Sequence, residues 1–501
     1  MTGRNRLNRR DFLASAAGGA ACLALGGALA GPTRADAPPP NEDLHWLPAW
    51  RLRNLIESGE ISPVEIIEHF LQRIEAIDEG LGSFVVVQFD RARAAARAAE
   101  ATVLRGDPLG PLHGVPVSLK QMVQAEGLPL ESGSVPQSDY VTSERIRRAG
   151  GIIIGNTTLA GPSSMLGKTS VGAANPWDLD RVAGASSSGA AASVAAGLVP
   201  IAIGSDGGGS TRLPAAWCGL IGMHPTVGRV PADHDIWRSL SRTAWSGTYG
   251  PICRDARDAA VMMSVIAGPD WRNIPSFHGP VPDYLSGLEG GVTGLRIAWT
   301  QDFGSASQYF PEEGAAVVAA ARRSADGFIE LGASVEDVAL DLEDWYPVFT
   351  RIAAELSVGR PYPLFASAAS AWNAIRGKAT PPQWKGELEA ALDARQKMAE
   401  QLLGVFEHYD ILLSATSPHI APTREAYSSW LESDSYPPEY TCLTGHMNLL
   451  GFPALSVPAG FVEGMPVGLQ LIARPDEDAK LLRAAHALLR AFPQDRRPAK
   501  P

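Results

Sequence analysis

Apolar positions at the start of the chain recur at helical spacing, beginning near Leu47 and continuing to Ser58. Ser62-Pro63-Val64-Glu65 then combines an N-cap, a proline at the first helical position and a capping-box glutamate. Ile66, Ile67, Phe70, Leu71, Ile74 and Ile77 supply the apolar face of the helix that follows. Asp90 to Leu104, rich in Ala and Arg, reads as another helix. The period then changes. Val115 to Leu119, Gly151 to Thr157 and Leu198 to Ile203 are short apolar runs that read as buried strands. Further on, Asp255 to Ile266, Glu312 to Leu331 and Asp478 to Phe492 are predicted helices, and Leu295 to Trp299 a strand. Asp344 to Leu413 reads as mostly helical, with Trp345, Tyr362, Phe365, Trp372 and Trp384. Helices alternating with buried strands predict an α/β chain. No internal repeat is evident.

One stretch stands apart, Val182 to Pro225. It opens with a Gly/Ser loop, Gly184-Ala185-Ser186-Ser187-Ser188-Gly189, followed by an Ala-rich helical run and the apolar run Leu198 to Ile203. A second loop, Ser205-Asp206-Gly207-Gly208-Gly209-Ser210, closes it. Two serine loops that bracket one helix and one strand could bring both hydroxyls to one site. Three consecutive glycines lose much backbone freedom on ordering, so the run suggests successive N–H groups turned toward one point. Taken alone, serines in Gly-rich loops are usually turn residues. Upstream, Lys120 closes the apolar strand Val115 to Leu119, an unusual place for a solvated lysine.

These residues resemble the amidase signature family, whose core reads roughly GGSSGG, an Ala-rich helix, GTDxGGS, an arginine, and a later KPT. The match runs from Asn175-Pro176-Trp177-Asp178 to Pro225-Thr226. It extends to Gly114 through Lys120, Gly228-Arg229-Val230-Pro231, Gly250 through Arg254, Asn448 through Ala454, and Val467 through Ile472. It covers most of residues 44–300 and 405–490. The resemblance implies a single large α/β domain, a mixed twisted sheet surrounded by helices, with a signature core at about 110–300. The 344–413 region would be a variable helical segment on the substrate side. It further implies a Ser–Ser–Lys relay: Ser210 as nucleophile, Ser186 (after a non-proline cis peptide) as proton shuttle and Lys120 as base. Gly207, Gly208, Gly209 and Ser210 would offer oxyanion N–H groups, while Ser187, Asp206 and Arg212 brace the loop. The chain departs from the pattern at Gln121, where Asp is usual, and at Asn156, Ala185 and Ser188.

Composition narrows the classes. A chain of 501 residues with 45% hydrophobic content can bury a large core. Its formal charge of −11 becomes −14 once the first 37 residues are set aside. That balance argues against nucleic-acid binding, which needs basic patches. Those residues carry Arg9-Arg10-Asp11-Phe12-Leu13, a Gly/Ala-rich apolar run to Ala30 and Ala35-Asp36-Ala37. A basic region, a short apolar core and an A-x-A site predict a cleaved leader, and the paired arginines predict the twin-arginine route. The alternative is a membrane anchor, which the short, weakly hydrophobic run disfavours. The expectation is an exported bacterial protein of residues 38–501, meeting export machinery only at the membrane. Cys218, Cys253 and Cys442 remain, allowing at most one internal disulfide. No Cys/His cluster has metal-ligand spacing, so neither metal nor cofactor is expected. His113, His224 and His446 read as packing or polar-network residues. Gly161 to Thr169 has five residues between its glycines where a phosphate loop has four, so nucleotide binding is rejected and Lys168 is taken as structural or exposed.

Amide hydrolysis needs a nucleophile, a base that later acts as acid, and donors for the oxyanion. No GxSxG elbow occurs, which disfavours a Ser-His-Asp hydrolase. The expected partner is a small amide, with anilides, esters and carbamates open to the same acyl chemistry. Trp237 and Trp245 fit either core packing or an aromatic-accepting pocket. Two other readings stay open: an exported binding protein, which leaves Lys120 and the triglycine unexplained, and the amidase component of a tRNA-dependent amidotransferase, which export and acidity oppose.

Overall fold

The computed structural model describes residues 43–130, 132–163, 168–232, 247–273, 276, 279–357, 385–432, 439–494 and 497–498. The leader, residues 38–42, Trp237, Trp245, Tyr362, Phe365, Trp372, Trp384 and the side chain of Lys168 lie outside the described residues. No described helix is long and apolar enough to cross a membrane.

In chain order the strands are β1 (Phe84–Val87), β2 (Pro116–Lys120), β3 (Ile152–Thr157), β4 (Gly161–Ser163), β5 (Lys168–Ser170), β6 (Ala174–Asn175), β7 (Asp178–Val182) and β8 (Ile201–Asp206). They continue with β9 (Ile221–His224), β10 (Thr248–Cys253), β11 (Arg296–Trp299), β12 (Ser334–Asp337), β13 (Ile411–Ala415), β14 (Ala454–Val462) and β15 (Met465–Ile472). Eleven of them form one sheet in the order β1-β3-β2-β8-β10-β9-β14-β15-β13-β11-β12. β2 runs parallel to β3 and β8, and β11 parallel to β13 and β12; the other pairings are antiparallel. Helices cover the sheet, which is why β2, β3 and β8 are buried along their whole length and read as unbroken apolar runs. This is the expected α/β domain with a large mixed sheet.

Most predicted elements form where the spacing places them. Ser62 and Glu65 make a reciprocal capping box, with Ser62 Oγ accepting from the Glu65 N–H at 3.1 Å and Glu65 accepting from the Ser62 N–H at 2.9 Å. The helix they start, Pro63–Leu81, buries Ile66, Ile67, Phe70, Leu71 and Ile74. The strand expected over Leu198 to Ile203 instead runs Ile201–Asp206. Pro200 has no N–H to give a ladder, and Leu198 still donates to Ser193 O at the end of the preceding helix, so pairing starts after the proline. Within and just beyond the Gly161 to Thr169 stretch, Gly161–Ser163 pairs antiparallel with Lys168–Ser170 as β4–β5. The Ala-rich helix Ser188–Ala195 buries all eight residues, and its small side chains let it lie between the sheet and the N-terminal helices. Cys218, Cys253 and Cys442 are buried free thiols.

The N-terminal helix Ala49–Glu57 is fastened from outside. Asp258, fully buried in the helix Ala256–Ile266, accepts the Ala49 and Trp50 N–H groups at 2.8 and 2.9 Å. Burial, with Asp255 nearby, pushes its carboxyl up to about 8. The folded protein therefore keeps a proton that the unfolded chain releases near pH 4, and stability contributed by this group falls as pH rises through that window. Asp258→Ala should lower unfolding free energy by about 2 kcal/mol in chemical denaturation, the cost of two uncapped N–H groups. Asp258→Asn should flatten the decline in stability between about pH 5 and 8 relative to wild type, because it removes this titration. An unchanged slope would show that another group sets it.

Candidate active site

The site forms where two neighbouring strands end. β2 pairs with β8 in parallel, Leu119 opposite Ile203, so Lys120 comes to lie beside the Gly204-Ser205 step. The Lys120 side chain is fully buried. Its Nζ lies 2.6 Å from Ser186 Oγ, 2.8 Å from Ser205 Oγ and 3.4 Å from Ser205 O. A lysine that reads on its own as a surface residue is thus held among hydroxyls at the edge of the first serine loop.

That loop is fixed by backbone contacts. The Ala185–Ser186 peptide is cis, and Ser186 O accepts the Ala160 N–H at 3.1 Å. Ser187 Oγ donates to Ser205 O at 3.2 Å and accepts the Ser205 N–H at 3.3 Å. The Ser187 N–H donates to Ser210 O at 3.2 Å, which ties the first loop to the second. Ser186 and Ser210 are partly exposed, whereas Ser187 is fully buried. The extra hydroxyl of Ser188 is used: it accepts the Ala173 N–H at 2.8 Å. The residue after it has no such latitude, because a Cβ on Gly189 would meet Ser83 O at 2.1 Å.

Beneath the second loop lies a fully buried ion pair. Arg212 Nε reaches Asp206 Oδ2 at 2.9 Å and its Nη2 reaches Oδ1 at 3.1 Å. Asp206 also accepts from the Gly209 N–H at 2.7 Å, Thr211 Oγ1 at 2.6 Å and Asn448 Nδ2 at 2.9 Å. Burial alone would raise this carboxyl, but the Arg212 guanidinium and these hydrogen bonds hold it well below the usual range. Arg212 directs its other donors to Thr444 O, Gln470 Oε1 and Asn448 Oδ1. Burial brings the His224 imidazole down to about 3, so it is neutral, its Nδ1 3.4 Å from Asn448 Nδ2. The loop is gripped from its other side by Thr444, whose Oγ1 donates to Gly208 O at 2.7 Å. Gly209, at φ +126°, leaves room for this contact, since a Cβ there would lie 2.2 Å from Thr444 Oγ1. The Gly209 N–H, expected to face a substrate oxyanion, is instead engaged by Asp206.

Sequence reasoning named Lys120, Ser186, Ser187, Asp206, Arg212 and the triglycine, and the fold gathers them around the end of β8. It passed over Ser205, which precedes Asp206 and reads as a turn residue, and over Thr444, which touches Arg212 from more than 200 residues away. Asn448 and Gln470 were noted only as parts of returning motifs. His224 and His446 take the network roles expected of them, His446 Nε2 donating to Glu343 O, and His113 Nε2 donates to Ala99 O. Among the described residues no cluster of His, Cys, Asp or Glu could hold a metal ion.

Comparison with known proteins follows the same lines. The amidase family model matches residues 65–357 and 368–482. The chain is 34% identical over 484 residues to an acylamidase of Rhodococcus erythropolis, covering 89% of this chain and 95% of that one. It is also 34% identical over 496 residues to a glutamyl-tRNA(Gln) amidotransferase subunit of Moorella thermoacetica, covering 91% and 98%. Among solved structures, a bacterial aryl acylamidase of the amidase signature enzymes superposes with a TM-score of 0.74 at 28% identity, over 91% of this chain and 99% of that one. With a family model spanning most of its length and relatives above 30% identity along nearly all of it, the chain belongs to the amidase signature family of enzymes.

Proposed function

We propose that the protein hydrolyses a linear carboxylic amide to a carboxylate and an amine or ammonia through an acyl-enzyme on Ser210. The observation that carries this reading is the fully buried Lys120, with Nζ 2.6 Å from Ser186 Oγ, in the loop whose next residue bonds Ser210 O. A lysine can accept a proton only as the neutral amine.

Ser210 Oγ attacks the amide carbon as its proton passes to Ser186, whose own proton passes to Lys120. The C–O bond forms and the carbonyl oxygen takes the negative charge. The Gly207, Gly208 and Ser210 N–H groups are the donors assigned to it, now that Asp206 holds the Gly209 N–H. The tetrahedral intermediate then collapses. The C–N bond breaks while Ser186 gives a proton to the departing nitrogen and regains one from Lys120. Water repeats the sequence on the acyl ester, its proton travelling the same path, and Ser210 is restored. Ser205 Oγ, 2.8 Å from Nζ, aims the amine at Ser186.

The similarity to two acylamidases favours N-acyl amides and anilides as substrates. The equal identity to an amidotransferase component makes the isolated chain the decisive preparation, since the proposed enzyme needs no other polypeptide to turn over. We propose also that residues 1–37 are a twin-arginine leader and that the enzyme works outside the cytoplasm.

Purified protein is expected to release amine from a panel of aliphatic amides, aryl amides, anilides and carbamates. Ser210→Ala and Lys120→Met should each lower kcat by about 10⁴-fold or more, because members of a relay fail together. Full activity in Ser210→Ala would remove the mechanism. Ser205→Ala should cost roughly tenfold in kcat at similar KM, the scale of one hydrogen bond to the base. A loss confined to KM would instead place Ser205 in substrate binding. For export, an Arg9→Lys/Arg10→Lys double variant should leave the precursor in the cytoplasm, whereas unaltered processing would sink the leader assignment.

A further inference from the structure

Gly208 stands in the middle of the triglycine, partly exposed. Among the described residues a Cβ built on it would meet one atom within 4 Å, Trp345 Cη2 at 3.8 Å. The indole edge of Trp345 therefore borders the loop on that side. Trp345 is 4% exposed and begins the helix Trp345–Ser357. Its ring lies against the backbone of Gly445, where a Cβ would fall 2.0 Å from Cε2 and 2.3 Å from Cζ2. Tyr346 and Phe349 meet it edge-on, at centroid distances of 5.5 and 5.4 Å. His446 binds Glu343 O at 3.1 Å, and Thr444 holds Gly208 O at 2.7 Å, so the strip that seats the indole also grips the loop. The indole Nε1–H is buried with no hydrogen-bond partner among the described residues. A phenylalanine would avoid that cost, so the larger ring is present for its reach.

The flank matters. In the sheet β2, with Lys120, lies on one side of β8, while β14 and β15, reached through Thr444 to Asn448, lie beyond β10 and β9 on the other. The departing amine must face Ser186, which protonates it, and so leaves on the Lys120 side. The opposite flank, bordered by Trp345, belongs to the group on the carbonyl carbon.

Resting on the amidase reading above, we propose that Trp345 is the specificity-determining wall of the acyl site and restricts the enzyme to amides of short-chain carboxylic acids. The rigid edge admits an acetyl-sized group beside Gly208 and meets the carbons of a longer or branched one.

The test uses the purified chain and two substrate series: 4-nitroanilides of acetic, butyric, hexanoic and pivalic acids, and acetanilides that vary only in the aniline ring. Wild type should favour acetyl over hexanoyl by about tenfold or more in kcat/KM, and Trp345→Ala should bring the two within about threefold of each other. The aniline series should keep its order in both proteins. Trp345→Phe, which keeps a ring on Gly445, should shift the acyl ratio partway and carries the test if the alanine variant does not fold. An unmoved acyl ratio in folded variants, or a change confined to the aniline series, overturns the assignment. The two levels separate cleanly. Wild type inactive on every substrate, or Ser210→Ala still active, removes the amidase reading and this inference with it. An active wild type silenced by Ser210→Ala, with an unmoved acyl ratio, removes the inference alone.

Discussion

The Asp206 carboxylate at the end of β8 holds the site in shape. Asp206 and Arg212 are both fully buried, and the cost of taking two charges out of water is offset only when every donor and acceptor is matched. Here the matching partners are the parts that need placing: the Gly209 N–H, Thr211, Asn448 and, through the guanidinium, Thr444 O and Gln470. Each bond that satisfies the pair also fixes a neighbour of the second serine loop. Removing either charge would leave the other stranded, so the loop geometry and the ion pair stand or fall together.

The pair also joins distant parts of the chain. Asp206 closes β8, Asn448 sits on the short helix Gly445–Leu450 and Gln470 lies on β15, while Lys120 arrives on β2. A mixed sheet makes this convergence simple. Parallel pairing of β2 with β8 sets the lysine beside Ser205, and antiparallel β14 and β15 return the C-terminal donors to the same end. The loops can then be glycine-rich, since their shape is imposed by side chains anchored in the sheet rather than by their own sequence.

Much of this is legible in the sequence, for reasons that differ by residue. The Ser62–Glu65 box and its helix are local, so spacing alone locates them. Lys120 stands out because a charged residue ending an apolar strand needs an explanation, and the resemblance to the family motif supplies one. The start of β8 is misplaced because apolar content continues through Leu198 and Val199, while the missing N–H of Pro200 decides where pairing begins. Ser205 escapes notice because a serine before aspartate in a glycine-rich run is usually a turn residue. Thr444 has no local signal at all, and Gln470 stands out only as part of a returning motif. Their role exists only through a guanidinium more than 200 residues away, which no periodicity encodes.

The allocation of charge follows from the same constraint. The permanently charged arginine takes both oxygens of Asp206, with Thr211, Gly209 and Asn448 filling the remaining positions. Lys120 is given hydroxyls and a carbonyl as neighbours, partners that suit the proton exchange proposed for it. Had the arginine and lysine exchanged partners, Asp206 would pin the proposed base in its charged form, and a guanidinium beside Ser186 could not accept a proton at all. His224 fits the same scheme: neutral through burial, it adds no second cation to compete for Asp206. The fold thus separates the charge that builds the loop from the proton movement proposed for Lys120 and Ser186, and it does so with residues drawn from β2, β8, the helix Gly445–Leu450, β15 and the serine loops.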